Sequence, residues 1–178
     1  MEPFEEKTLE TKRIYEGRVI NLRKDKVTVR GGRTSWREIV ENNGGAVAVA
    51  VTEDKKIIMV RQFRKPFDRV MTEVPAGKIE PGEDPDSTVR RELKEETGYT
   101  AENYELLSVM YPSVGYTTEK LYIYLCTGLD AGETDFDYNE SIEIHKVDFK
   151  EIYDKVLAGE IHDGKTIAGV LLAAPRVI

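Results

Sequence analysis

The sequence predicts an α/β or α+β fold, with helices on both sides of a mixed sheet and an antiparallel hairpin at the N-terminal end. Three observations lead there. Residues 46–51 read AVAVAV, a fully apolar run that suits a strand buried on both faces. Residues 18–30, RVINLRKDKVTVR, alternate and end at Gly31-Gly32. Helical segments are interspersed among the strand-like ones. At 178 residues the chain is long enough for one domain of ordinary size with a real core.

In chain order, 18–30 and 34–40 (TSWREIV) pair as a hairpin through the glycine turn. After Asn42-Asn43-Gly44-Gly45 comes the buried strand 46–52, then a turn at Glu53-Asp54-Lys55 and a strand over 57–63, IIMVRQF. A short strand, VMTEV (70–74), leads into Pro75-Ala76-Gly77. A helix begins near Asp84, which can cap it; Pro85 suits the first helical position and Asp86 complements the dipole. Gly98 suits the left-handed position that ends it, and Val89 and Leu93, four apart, form its core face. YELLSVMY (104–111) and KLYIYLC (120–126) are strands joined by the loop PSVGYTTE. An acidic loop, 128–141, leads into the strand IEIHKVDF, and FKEIYDKVLAG and KTIAGVLLAA read as two C-terminal helices. Residues 1–42 hold strands with no obvious place in a core that starts at Ala46. Two-stranded units are marginal alone, so 1–43 is expected to be a dimerising β subdomain and 44–178 the main domain.

Composition narrows the function. Hydrophobic residues make up 40% and charged residues 33%, a soluble globular balance. The net charge of -7 argues against a nucleic-acid partner held by a basic face. No apolar run approaches the roughly 20 residues of a membrane span, and the acidic start, MEPFEEKTLE, is unlike a signal peptide. Cys126 is the single cysteine, which excludes an intrachain disulfide and fits a reducing compartment. A cytoplasmic location is expected. Lying in the apolar run LYIYLCT, Cys126 reads as a core residue rather than a nucleophile.

The chemistry is concentrated between Gly77 and Tyr99. Glu92, Glu95 and Glu96 lie three and four apart, so a helix gathers them on one face. Such a cluster repels itself unless a cation neutralises it, and hard divalent cations prefer oxygen ligands. Glu83 precedes the helix and can reach the same place if the loop folds back. A solvated helix face with an Arg91–Glu95 pair is the plainer alternative. Periodicity, however, does not account for fixed glycines and glutamates outside the helix.

The run GKIEPGEDPDSTVRRELKEETGY resembles the signature of Nudix hydrolases, G-x5-E-x7-R-E-U-x-E-E-x-G-U, with U a bulky apolar residue. Every fixed position matches, and Tyr99 stands where an aliphatic residue is usual. The likeness extends to the ADP-ribose pyrophosphatase branch through RQFR, EVPAGK, KRIYEGRVINL, SWREIVENNG and GEIHDGKTIAGVLLA, and so covers nearly the whole chain. The resemblance implies an α/β/α sandwich with the signature as loop–helix–loop. It implies two or three Mg²⁺ ions, with Mn²⁺ as the alternative. Their ligand candidates are Glu92, Glu95, Glu96, Glu140 and the backbone of Ala76. Arg91 would orient glutamates rather than touch substrate.

It also implies a homodimer whose N-terminal strands help to form an adenine pocket, at Arg18, Val19, Trp36, Arg37 and Glu38. Trp36, the only tryptophan, next to Arg37, offers a flat platform for a base; an ordinary buried hairpin contact is the alternative. Arg64 would meet the diphosphate, with a surface salt bridge as its alternative, and Lys78 of EVPAGK is a further substrate contact. Ser113, Val114, Gly115 and Glu119 would lie near the terminal ribose or phosphates. Two departures from the branch stand out. Ser113-Val114-Gly115 replaces the usual Ser-Pro-Gly, the proline falling at Pro112. Tyr138-Asn139-Glu140 replaces Glu-x-Glu before the IEI strand, which leaves Glu140 as the expected base, with Asp137 and Glu95 next and Asp135 as loop. The expected activity is metal-dependent hydrolysis of ADP-ribose to AMP and ribose 5-phosphate. The alternatives are another ADP-sugar, a dinucleotide or a damaged nucleoside triphosphate as substrate, and an ADP-ribose-binding module without turnover.

Overall fold

In the computed structural model, residues 4–135 and 141–178 are described. They form two compact units, and the division runs between Gly44 and Gly45.

The first unit runs up to Gly44 and takes in Tyr111–Glu119. Its sheet is antiparallel, in the order β1 (Thr8–Glu16), β2 (Asn21–Val29), β3 (Arg33–Glu41). Gly31 and Gly32 turn the β2–β3 hairpin at φ +81° and +74°, a backbone region that favours glycine. The strand β1 is not in the sequence reading. All nine of its residues, TLETKRIYE, are exposed, so it has no apolar side for periodicity to reveal. Thr117 bridges Val40 in parallel, fastened by Val40 N–H to the Tyr116 carbonyl at 2.8 Å.

The second unit holds two sheets and three helices. The four-stranded sheet runs β7 (Ala76–Lys78), β4 (Gly45–Ala50), β9 (Leu121–Ala131), β8 (Tyr99–Met110). Only its β4–β9 pair is parallel, so the sheet is mixed. The three-stranded sheet runs β10 (Ile142–Asp148), β5 (Lys56–Arg64), β6 (Arg69–Glu73). The helices are α1 (Pro85–Thr97), α2 (Phe149–Leu157) and α3 (Gly164–Val177). The strands β8 and β9 are longer than their apolar cores suggest, and the three-residue β7 has no sequence signal apart from its partner β4.

The strand β4 decides the layering. All six of its residues are buried, and the period of two splits them between helices. Val47 and Val49 join Ile57, Met59 and Ile123 against Phe149 and Ile152 of α2 and Val170 and Ala173 of α3. Ala46, Ala48 and Ala50 face the other way, onto Val89 and Leu93 of α1 and the buried Cys126. The result is an α/β/α sandwich. Small alanines on one side of β4 allow α1 to lie close. On the other side Gly169 of α3 does the same work: a Cβ there would sit 2.7 Å from Val49 Cγ2.

Candidate active site

The helix α1 starts where its cap residues dictate. Asp84 Oδ1 accepts from the Asp86 and Ser87 N–H groups at 3.0 Å each, and Pro85 takes the first position, where a missing N–H costs nothing. Gly98 ends the helix at φ +74° and donates its N–H to the Lys94 carbonyl. Val89 and Leu93 are fully buried, which fixes the rotation of the helix and aims Glu92 and Glu96 at β7. The Glu92 carboxyl lies over Gly77 so closely that a Cβ there would fall 1.8 Å from its Cδ. Glu96, 4% exposed, accepts the Ala76 N–H at 3.0 Å. The first glycine of the signature is therefore required by contact: any side chain would displace a carboxylate.

Arg91 organises the rest. Its Nε and Nη2 bind the two Glu83 oxygens at 3.0 Å each, its Nη1 meets Glu92 Oε1 at 2.7 Å and Glu95 Oε2 at 2.9 Å, and Nη2 also reaches the Lys78 carbonyl at 3.1 Å. The loop before the helix does fold back, as the Glu83 spacing anticipated. The guanidinium holds the Glu83 carboxyl well below its usual range, at about 2. The i,i+4 Arg91–Glu95 pair exists, but as one strand of this web rather than as an isolated surface pair. Among the described residues no three acidic, His or Cys side chains are gathered closely enough to hold a metal as they stand. The donor chemistry fits a hard cation nonetheless: carboxylate oxygens on one helix face, set against a strand whose glycine makes room for them.

A second charge cluster lies at the end of β6. Glu73, 2% exposed, takes a two-pronged contact from Arg64, with Nε and Nη2 each at 2.7 Å, and a short contact from Lys165 Nζ. Burial pushes the Glu73 carboxyl up, but the hydrogen bonds from Arg64 and the charge of Lys165 outweigh it, and the group stays below its usual range. Lys165 also pairs with Asp163 Oδ2 at 3.0 Å. Thr166, fully buried, accepts the Val74 N–H at 2.9 Å and donates to Asp163 Oδ2 at 2.6 Å. Glu73, Asp163, Lys165 and Thr166 lie within the EVPAGK and GEIHDGKTIAG runs but carry no local sequence signal of their own. Glu73 is 92 residues from Lys165, and only the fold brings it to the first turn of α3.

The residues picked from the sequence divide between the units. Ala76, Lys78, Arg64, Glu92, Glu95 and Glu96 belong to the second unit; all but Arg64 lie on α1 or on the β7 edge beside it. Lys78 is exposed, and Arg64 is engaged with Glu73 rather than with a surface partner. Arg18, Val19, Trp36, Arg37, Glu38, Ser113, Val114, Gly115 and Glu119 belong to the first. Arg18 and Val19 lie exposed in the bend between β1 and β2. Val114 is 87% exposed. The partners of Trp36 differ from expectation. Adjacent strand residues point to opposite faces, so Arg37 turns away to Glu6 and Ser35, while Lys12 and Lys24 stand 5.1 and 5.5 Å from the indole centroid. Asp135 N–H is fastened to the Glu95 carbonyl at 3.1 Å, so the acidic loop leaves from the last turn of α1. Asp137, Tyr138 and Glu140 lie outside the described residues.

The sequence and the fold have counterparts among known proteins. The Nudix domain profile matches residues 42–169. The chain is 40% identical over 168 residues to an ADP-ribose pyrophosphatase of Bacillus subtilis (strain 168), a match covering 93% of this chain and 91% of that one. It is equally similar, 40% over 169 residues, to a methanol dehydrogenase activator of Bacillus methanolicus, covering 94% of this chain and 91% of the relative. The crystal structure of an ADP compounds hydrolase, only 18% identical, has the same fold, with a TM-score of 0.85 over 96% of this chain and 93% of the other. A sandwich with a signature helix whose arginine gathers three glutamates is a Nudix domain, and the chain belongs to the Nudix family.

Proposed function

We propose that this Nudix hydrolase cleaves the diphosphate of ADP-ribose to AMP and ribose 5-phosphate, as a cytoplasmic homodimer that uses Mg²⁺. The observation that carries the reading is the carboxylate face of α1, where Arg91 holds Glu92 over Gly77 and the Ala76 N–H holds Glu96, in a chain similar over 93% of its length to an ADP-ribose pyrophosphatase. Water attacks one phosphorus, and the bond from that phosphorus to the bridging oxygen breaks. The water's hydroxyl stays on one product and its proton ends on solvent or the other.

Glu92, Glu95, Glu96, Glu140 and the Ala76 carbonyl would hold two or three ions, with Mn²⁺ able to substitute. A bound divalent cation supplies an activated water and counter-charge for the diphosphate. The protein's own groups do the remaining work. Glu140 accepts the proton, with Asp137 and then Glu95 as the next candidates. Arg64 meets the diphosphate; its Nε and Nη2 are engaged by Glu73, so the contact would come from Nη1. Trp36 stacks on the base, with Arg18, Val19, Arg37 and Glu38 around it, and Ser113, Val114, Gly115, Glu119 and Lys78 contact ribose and phosphates. Residues 1–43 dimerise and 44–178 carry the chemistry.

A broader substrate range is the second reading, and the loop favours it: Val114 replaces a proline and stands 87% exposed. A panel of ADP-ribose, other nucleoside diphosphate sugars, dinucleotides and oxidised nucleoside triphosphates, with Mg²⁺ and product identification, decides between the two. Turnover of ADP-ribose to AMP, abolished by chelation, is expected. Tight ADP-ribose binding without turnover would leave only a binding module.

A further inference from the structure

We propose that the first turn of α3 is a positioning device for the catalytic centre, in which Thr166 fixes the segment leading to Ala76 and Lys165 fixes Arg64 through Glu73. The proposal rests on the reading of Ala76, Glu96 and Arg64 as site residues.

The segment Val74-Pro75-Ala76 is held at each residue by a different element. The Val74 N–H goes to Thr166 Oγ1 of α3 at 2.9 Å, the Pro75 carbonyl accepts from Ala48 of β4 at 2.8 Å, and the Ala76 N–H goes to Glu96 of α1 at 3.0 Å. Of these, the α3 anchor is the one made by a side-chain hydroxyl. A hydroxyl has one proton, and Thr166 gives it to Asp163 Oδ2 at 2.6 Å, so its lone pairs are aimed at Val74. Asp163 is itself locked as the cap of α3 by the Thr166 N–H at 3.0 Å. With Val74 fully buried, loss of this acceptor leaves a donor with nowhere to turn but a new backbone path. That path would carry Ala76 and Glu96 with it.

Lys165, one residue earlier, works on the neighbouring position. Glu73 is nearly inaccessible and Arg64 covers both its oxygens. When Arg64 shares its charge with a bound diphosphate, Glu73 needs another cation. Lys165, contacting the same Oε2, supplies it. Arg64 is thus held in place yet not fully neutralised.

The test pairs kinetics with direct metal binding. Mn²⁺ affinity is read by electron paramagnetic resonance without substrate, alongside the Mg²⁺ activation midpoint, kcat and KM for ADP-ribose. Loss of a partner behind a metal ligand costs about 10–100-fold in affinity or activity. Thr166→Val is expected to weaken Mn²⁺ about tenfold or more and to lower kcat, while Thr166→Ser, which keeps the hydroxyl, stays near wild type. Lys165→Met is expected to raise KM about tenfold with Mn²⁺ affinity unchanged, which splits the two roles. If Thr166→Val does not fold, Thr166→Ala, which removes the same hydroxyl without added bulk, must show the Mn²⁺ loss in its place. Wild-type Mn²⁺ affinity in a folded Thr166→Val, or in that Thr166→Ala, would overturn the proposal, as would a Lys165→Met that binds ADP-ribose normally. A wild-type protein that ignores ADP-ribose would sink the functional reading instead, and the Mn²⁺ comparison would still judge the Thr166 anchor.

Discussion

Arg91 and Arg64 each grip a glutamate with both prongs, in opposite electrostatic settings. Around Arg91, one guanidinium faces the carboxylates of Glu83, Glu92 and Glu95, with Glu96 one turn further on and bound to a backbone N–H. Around Arg64 the charges balance: Glu73 and Asp163 are matched by Arg64 and Lys165. The first cluster has more carboxylates than cations among these partners and reaches the surface through Glu95, 39% exposed; the second reaches it through Arg64, 38% exposed, over a Glu73 that is 2% exposed. Carboxylate oxygens gathered beside one guanidinium suit a hard divalent cation. A charge-balanced cluster built on a buried carboxylate marks a joint.

The largest expected effect breaks the surplus directly. Glu96→Gln keeps the shape and the acceptor for Ala76 N–H but removes a charge. Turnover at saturating Mg²⁺ should fall by more than about 100-fold, the upper range for losing a mere supporting partner. Melting without metal should not fall, because repulsion drops. Near-normal turnover would show that the surplus on α1 is not the metal site.

Next comes the base. Glu140→Gln should lower kcat about 100-fold with little change in substrate affinity, and Asp137→Asn and Tyr138→Phe should each do less. A tyrosine near its ordinary pKa of about 10 stays protonated at neutral pH and makes a poor base. If Asp137→Asn is the more damaging, the base is Asp137. If neither matters, the proton goes to Glu95.

Stability sharpens the contrast. Removing one partner of a buried pair typically costs about 3–5 kcal/mol; because Arg64 is 38% exposed, Glu73→Ala should fall at or below the lower end of that range in urea unfolding. Arg91→Met, in the partly exposed cluster, should cost about 1 kcal/mol or less. Equal losses would mean that both clusters are structural.

The smallest effect is acid dependence. The Glu83 carboxyl is depressed in the folded state from 4.5 to about 2 by Arg91. A depressed acid contributes stability that is fully present above its unfolded pKa and lost as pH falls through the folded one. The contribution should therefore fade between about pH 4.5 and 2, and Arg91→Met should flatten that part of the stability curve. An unchanged slope in the variant would remove Arg91 as the cause.

The difference between the clusters also explains what was legible beforehand. The α1 cluster is local: cap, glycines and glutamates fall within about twenty positions, and helical spacing alone gathers them on one face. The two-faced burial of β4 was equally plain from AVAVAV. The Arg64–Glu73–Lys165 joint was not, because its members come from β5, β6 and α3 and share no period. The strand β1 was missed because it buries nothing, and β7 because three residues carry no pattern. The cations over Trp36 depend on register: Lys24 lies diagonal to it across the β2–β3 pair, and Lys12 pairs with Lys24 across β1–β2.

Gly169 gives the joint an unexpected sensitivity. It lies three positions after Thr166, on the same side of α3, and its missing methyl sets how near the helix comes to Val49. A methyl at 169 would act as a shim under the helix, lifting Thr166 from Val74 by a few tenths of an ångström without touching any polar group. The Val74–Thr166 bond, 2.9 Å long, would lengthen toward the upper end of the ordinary N–H···O range. An apolar contact at position 169 thus sets the seat of the helix whose first turn holds Val74, as a shim sets the seat of a part it never touches.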